Sequence, residues 1–396
     1  MRLVIVDSME RYRFMTRLAY ALRDEIAFVF GTSEPLAHLL LVRAGFRSFY
    51  LRADRDAATH ASDAGFAGDD AIEVLNGAIS RERARREAAS IARLVAELLS
   101  RERVTQCVMW NGHQLVCRAV AHACASQGVP MKFLEISNLP DKLFADPLGV
   151  NAQSSIGRSP DALDDLPLPD DGEHRAWLAR YEAYKAHPLP QARQSLRGLL
   201  PSTLNYVLKL ATNGVARNEL RTVLSCPASV AAMHAITPSA DELANRRYVF
   251  LPLQVSSDTQ LKLHSDVDNL EAIEIALRYA RHARAALIVK PHPAERDASL
   301  LDAVIALRRR RHFDIATSMT VDLIKHACLV VTINSTVGLE AMLYGKPVAP
   351  LGRCFYRSFD RARLLRYIHS FLIDDVDYFG SRAIPAHAAR RILSLG

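Results

Sequence analysis

The chain has 396 residues, 49% of them hydrophobic and 23% charged, and a formal net charge of +7. This length supports two or three domains with substantial cores, and this balance excludes a largely disordered chain. The moderate positive charge permits an anionic partner surface, lipid or nucleic acid, without requiring one.

In chain order, the first apolar run is only Leu3–Val6, too short for a signal peptide. No run approaches the roughly 18 residues that span a bilayer. Short β-rich runs follow at Ile26–Phe30, Ser48–Leu51, Cys107–Trp110 and Met131–Ile136. Amphipathic helical stretches separate them, the clearest being Ile79–Arg103. Such alternation predicts a parallel sheet with crossover helices. Residues 158–172, rich in proline and acidic residues, have the composition of a surface linker. From His174 to about Ala244 the pattern is helical and basic. Alternation then resumes, with strands at Tyr248–Leu253, Ala286–Val289, Phe313–Ala316 and Leu329–Ile333, and a fifth at Val348–Leu351.

The expected architecture is therefore α/β. A Rossmann-like domain covers residues 1–157, a linker and helical segment 158–244, and a second Rossmann-like domain with C-terminal helices 245–396. A ligand cleft is expected between the two domains, at the carboxyl ends of the strands. The six cysteines form no CxxC pair and no zinc-like spacing with histidine. They fit reduced, buried thiols, and so a cytoplasmic protein.

Polar clusters mark the predicted strand ends. After Tyr248–Leu253 come Gln254, Ser256, Asp258 and Gln260; after Ala286–Val289 comes Lys290-Pro291-His292-Pro293. The prolines hold that backbone extended, and a fixed Lys and His suit a phosphate or carboxylate. After Leu329–Ile333 come Asn334, Ser335 and Thr336, which open a short helix ended by Gly345. Hydroxyls there cap the helix, and the same free N–H groups suit an anion. Glu340 lies on that helix, either facing ribose hydroxyls or solvated. In the first half, Asn111-Gly112 closes one strand and Glu135 the next, with Asp141, Asp146 and Asn151 in the following segment. A carboxylate at such a strand end is a candidate nucleophile or base. The arginine run Arg308–Arg311 fits a solvated helix end, and the face Arg81, Arg83, Arg85, Arg86 fits a solvated face or contact with anionic lipid.

Together these blocks resemble the bacterial capsule polysaccharide biosynthesis/export family of β-Kdo glycosyltransferases, of the KpsS/LipB type. The resemblance runs through Trp110-Asn111-Gly112, Leu134-Glu135 with Leu139-Pro140, Asp146-Pro147 with Gly149-Val150-Asn151-Ala152, and Pro252-Leu253-Gln254 with Asp258 and Gln260. It continues through Lys290-Pro291-His292-Pro293 and Asn334–Glu340, over about residues 108–356. It implies a GT-B-like fold and CMP-Kdo as donor substrate; no further cofactor is expected, and no metal, since the leaving phosphate can be stabilised without one and the sequence has no paired-aspartate metal site. It also implies retaining transfer of Kdo to a lysophosphatidylglycerol-type phospholipid at the cytoplasmic face of the inner membrane, beside other capsule assembly and export proteins. By position, Gln254, Lys290, His292, Asn334, Ser335 and Thr336 would hold the donor and Glu340 its ribose. Glu135, Asp258 or Asp146 would carry the chemistry. One departure stands out: the family follows this glutamate with Asn-Gly or Asp-Gly, where this chain has Ile136-Ser137. Other expectations compatible with these blocks are a CDP-polyol phosphotransferase of teichoic-acid type and a non-catalytic export or scaffold component. Nucleic-acid binding is not expected, because the basic residues are not interleaved with aromatics in any such module.

Overall fold

The computed structural model describes residues 1–52, 68–137, 139–186, 196–212 and 235–394. It divides into two compact α/β units, one of residues 1–155, 166–220 and 367–396, the other of 156–165 and 221–366. Parts of the expected connecting segment, 187–195 and 213–234, and with them Cys226, lie outside the described residues.

The first unit is built on a six-stranded sheet. Its strands are β1 (Arg2–Val6), β2 (Phe28–Thr32), β3 (Arg47–Tyr50), β4 (Gln106–Trp110), β5 (Met131–Ile136) and β6 (Leu143–Asp146). They lie in the order β3-β2-β1-β4-β5-β6, with only β6 antiparallel to its neighbour. Runs such as Leu3-Val4-Ile5-Val6 are fully buried, as a sheet covered on both faces by helices requires. The helix Arg81–Arg101 matches the expected amphipathic stretch and buries Ile91, Val95, Leu98 and Leu99. Two arginines of its polar face are paired, Arg83 with Glu87 and Arg85 with Asp69. Gly112 ends β4 with φ at +81°, and a Cβ there would stand 2.8 Å from the Phe133 ring. Only glycine fits that turn.

The second unit holds five parallel strands: β7 (Tyr248–Pro252), β8 (Ala286–Lys290), β9 (Asp314–Ile315), β10 (Leu329–Thr332) and β11 (Val348–Pro350). Their order is β11-β10-β7-β8-β9. Numbered within the unit this is 5-4-1-2-3, the dinucleotide-fold order, and β3-β2-β1-β4-β5 repeats it in the first unit. Both expected Rossmann-like sheets are present, and all ten expected strands fall within a few residues of their places. The antiparallel β6 is an addition.

The chain is not partitioned as 1–157, 158–244 and 245–396. Residues 367–396 belong to the first unit, where Ile373, Val376, Ile384, Ala388 and Ile392 enter its core. Ile373 also exchanges two backbone hydrogen bonds of 2.9 Å with Leu143, covering the free edge of β6. The first part of the expected linker instead joins the second unit, with Leu163 buried and Asp164 paired to Arg363. Its short helical turn starts at Pro160, a residue suited to a first helical position.

Candidate active site

In a doubly wound sheet the ligand crevice opens where the strand order reverses, beyond the carboxyl ends of the strands. In the second unit that point lies between β7 and β10. There Gln254 follows β7 and Asn334 follows β10, and the two side chains clasp each other. Gln254 Nε2 donates to Asn334 Oδ1 at 3.0 Å, while the Asn334 backbone N–H donates to Gln254 Oε1 at 3.1 Å. Asn334 Nδ2 also donates to the Gln260 carbonyl at 2.9 Å. The Gln254 backbone exchanges hydrogen bonds with the Asn269 amide. Both residues are buried. Their amides are spent on each other and on the backbone, tying the ends of β7 and β10 together.

The loop after β10 enters the helix Thr336–Leu343 with Ser335 as N-cap, its Oγ accepting from Val337 N at 3.2 Å. A hydroxyl that accepts there still has its proton to donate outward. Gly338 lets Tyr356 approach: a Cβ would lie 2.6 Å from the Tyr356 hydroxyl, which itself donates to the Ser335 carbonyl. Glu340, on the same helix, is buried and acts electrostatically on Lys290.

Lys290 ends β8. Its Nζ donates to the Ser318 carbonyl at 2.6 Å and to Thr320 Oγ1 at 2.9 Å, tying β8 to the loop after β9. Burial draws its pKa below the usual lysine value, against the opposing pull of Asp322 and Glu340. His292 lies two residues on, exposed on the loop, with Nδ1 accepting from Ala294 N at 3.1 Å. The protein around the ring lowers the His292 pKa, although Asp258 and Glu295 act the other way. A neutral ring that accepts at Nδ1 carries its proton on Nε2. With Nδ1 accepting, Nε2 is the ring position from which His292 can donate to an anion.

Asp258 caps the helix Thr259–His264, accepting from Gln260 N at 2.9 Å, and lies near Gln254 and His292. Glu295 was not anticipated from the sequence. It is buried and accepts from Ser256 N at 2.7 Å, Ser256 Oγ at 3.1 Å and the N–H groups of Arg296 and Asp297, welding the loops after β7 and β8 together. Its signal was a glutamate two residues after the Pro-His-Pro loop, a place where a carboxylate has several free N–H groups within reach. The structure thus gathers Gln254, Asp258, Lys290, His292, Asn334, Ser335 and Glu340 at one end of one sheet. A groove of about 610 Å³ elsewhere in this unit runs between the helices Asn269–His282 and Ala298–Arg311, lined in part by Leu270, Ile275, Ala303 and Leu307. None of the polar strand-end groups reaches it.

In the first unit the corresponding reversal lies between β1 and β4. Glu135, next to the last residue of β5, is half-buried; Oε2 accepts from Asn111 Nδ2 at 3.1 Å and Oε1 from Ile136 N at 2.9 Å. Leu134 and Ile136 pack with the core on the opposite face, as strand alternation requires. Asp146 does not suit the catalytic role. It is fully buried, and its two oxygens accept from the N–H groups of Leu148, Gly149 and Ser155 and from the Ser155 hydroxyl. A carboxylate so occupied organises the Gly149-Val150-Asn151 loop and has no approach for a substrate. Asp7, at the end of β1, also escaped the sequence reading. It is buried, pairs with Arg11 and accepts from Cys117.

Among the described residues, no helix is long and apolar enough to cross a membrane. Residues 179–359 match the family model described as "Capsule polysaccharide biosynthesis protein". The chain is 25% identical over 241 residues to the capsule polysaccharide export protein KpsS of Escherichia coli, covering 55% of this chain and 59% of that protein. It is 30% identical over 123 residues to the capsule polysaccharide modification protein LipB of Neisseria meningitidis, covering 28% and 29%. The chain thus spans less than two thirds of the length of these relatives. Among solved structures, a β-Kdo 2,7 transferase of Thermosulfurimonas dismutans KpsC is similar at a TM-score of 0.43 and 18% identity, covering 76% of this chain and 88% of that one.

Proposed function

We propose that this chain, a relative of the KpsS/LipB-type capsule polysaccharide proteins, is a glycosyltransferase that moves Kdo from CMP-Kdo to a phospholipid acceptor during capsule assembly. The observation that carries the proposal is the set of anion-suited groups at the carboxyl end of the second sheet: Lys290, His292 and the Ser335-capped helix start. Breaking the bond between Kdo and CMP develops negative charge on the leaving phosphate. The helix N-terminus, the Ser335 hydroxyl and His292 Nε2–H supply donors for that charge. Lys290 adds a positive charge from a desolvated position, with two of its donors already committed. Glu340, buried on the same helix, is the group proposed to meet the ribose.

Glu135 is the proposed nucleophile or base, since Asp146 is committed to its loop and Asp258 to capping a helix. Asn111 orients its carboxylate. Retention would follow from a covalent glycosyl intermediate on that carboxylate, resolved by a second displacement. Capsule assembly proteins and the inner-membrane lipid surface are the proposed partners, with the protein peripheral at the cytoplasmic face.

The test is transfer itself. Purified protein, CMP-Kdo and a fluorescent lysophosphatidylglycerol should give a Kdo-modified lipid. Glu135→Gln should fold and still bind CMP, yet lose transfer by about a hundredfold or more. His292→Ala or Ser335→Ala should weaken protection by CMP. Protection by CDP-glycerol but not CMP-Kdo would move the assignment to polyol-phosphate transfer. Unaltered capsule formation with Ala at both His292 and Ser335 would point to a non-catalytic component.

A further inference from the structure

Over residues 203–211 the helix Leu196–Ala211, in the first unit, is turned inside out. Its inward face carries Asn205 and Lys209, both buried. Lys209 Nζ lies 2.8 Å from Glu34 Oε1, Asn205 Nδ2 donates to Glu34 Oε2, and Asn205 Oδ1 accepts from Leu36 N at 3.1 Å. One turn further, the Thr212 and Tyr50 hydroxyls meet at 2.8 Å. These contacts seat the helix over the carboxyl ends of β2 and β3.

The outward face is aliphatic. Leu204, Val207 and Leu210 are 52%, 55% and 59% exposed, and they lie at successive three-residue steps on one side of the helix. The adjoining helix Pro35–Arg43 adds Leu39 at 57% and Val42 at 53%. These two helices supply five of the eleven large apolar side chains that are exposed among the described residues. A helix in water places its polar residues outward and its apolar stripe inward. The reverse arrangement calls for an apolar medium outside.

Charge selects which medium. Neither helix contains an acidic residue, and the carboxylate at their junction, Glu34, is buried against Lys209. Arg43 is exposed next to Val42. An aliphatic face with cationic company and no exposed carboxylate complements an anionic bilayer.

We infer that the helices Pro35–Arg43 and Leu196–Ala211 form the membrane-docking face, which sets Leu39, Val42, Leu204, Val207 and Leu210 into the boundary between head groups and acyl chains of an anionic bilayer. The inference deepens the proposed function and rests on it in taking a lipid as the protein's working surface. It moves that contact away from the arginine face of Arg81–Arg101, two of whose charges are paired within the protein.

The experiment is vesicle co-sedimentation of the full chain, with vesicles of phosphatidylethanolamine and phosphatidylglycerol and with phosphatidylcholine alone. Wild type should bind the anionic vesicles, and the combined variant Leu204→Gln, Val207→Gln, Leu210→Gln should lose roughly tenfold or more in partitioning at unchanged melting temperature. If that variant does not fold, Leu39→Gln with Val42→Gln should show the same loss from the neighbouring helix. Unchanged partitioning in folded variants, or no binding by wild type, overturns the inference. So does a dimer that becomes monomeric in the variant without any lipid effect, since the face would then be a self-interface. Transfer to a short-chain, water-soluble acceptor separates the two claims. A variant that loses vesicles but keeps that transfer supports docking through this face. Vesicle binding through these leucines without Kdo transfer would retain the docking face and remove the glycosyltransferase reading.

Discussion

Asp146 and Glu135 both end strands in the first unit, yet their surroundings separate them. Asp146 accepts from three backbone N–H groups and a hydroxyl in a site closed to solvent. Replacing one carboxylate oxygen by an amide sets a donor against those donors. Asp146→Asn should therefore cost about 1–3 kcal/mol of stability in chemical denaturation. It should reduce transfer only in proportion to the folded fraction. Glu135 is half-buried and accepts from the Asn111 amide and the Ile136 N–H, so Glu135→Gln should cost less than Asp146→Asn in the same denaturation. If Asp146→Asn were fully stable and inactive, the catalytic role would return to it. In the sequence the two carboxylates look alike, because position at a strand end is legible while the number of N–H groups a loop will turn toward a side chain is not. The same holds for Gln254 and Asn334. Their place beside the ligand crevice follows from the strand pattern, but their mutual clasp required knowing that β7 and β10 are neighbours.

At the scale of elements, the helix Thr336–Leu343 is positioned by a contact that leaves little trace in sequence. Gly338 has no backbone need for glycine; its value is the room it gives Tyr356, whose hydroxyl holds the Ser335 carbonyl. Gly338→Ala should gain helix propensity yet lose stability by about 1–3 kcal/mol through overpacking, and, under the proposed donor assignment, it should weaken CMP binding by moving the cap. Thermal melts and CMP titration of Gly338→Ala, alone and with Tyr356→Phe, check this, and the double variant should recover part of the loss.

The turn Tyr367–Phe371 carries a pH-dependent element. His369 faces His174 at 3.1 Å and Glu173 at 3.7 Å, with Lys142, Arg180 and Asp374 also acting on it. Burial first, then the Lys142 charge and His174, hold its pKa down to about 4, against 6.5 for a free imidazole. Above pH 6.5 both folded and unfolded chains hold the ring neutral, and its contribution is fully present. As pH falls below that value the unfolded chain takes up a proton that the fold refuses. Stability should then decline by about 1 kcal/mol per pH unit until the folded value is reached. The difference in unfolding free energy between wild type and His369→Gln, measured at pH 7 and pH 5, should shrink at the lower pH.

At the scale of the whole molecule, the two sheets were legible because strands such as Leu3–Val6 and Val249–Leu251 are apolar runs, and most of the strands alternate with helices. Where the last thirty residues go was not legible. Ile373, Val376, Ile384 and Ile392 announce burial, but an apolar residue does not specify which of two cores receives it. The structure assigns them to the first unit, with Ile373 bonded to the edge of β6 and the helix Ala386–Leu393 in the same core as Phe14 and Leu18. The chain therefore enters the second unit and returns, so each unit's integrity depends on a different part of the sequence. Ending the chain at Arg366 removes a set of buried side chains from the first core and bares the edge of β6. Each large aliphatic side chain lost there is worth about 2–5 kcal/mol, enough together to exceed the stability of a typical domain. Hydrogen exchange on the truncated protein should show β1, β4 and β5 losing protection, while β7, β8 and β10 keep theirs and, under the proposed donor assignment, CMP still binds. Equal loss in both sheets would mean that the final segment serves the second unit as well.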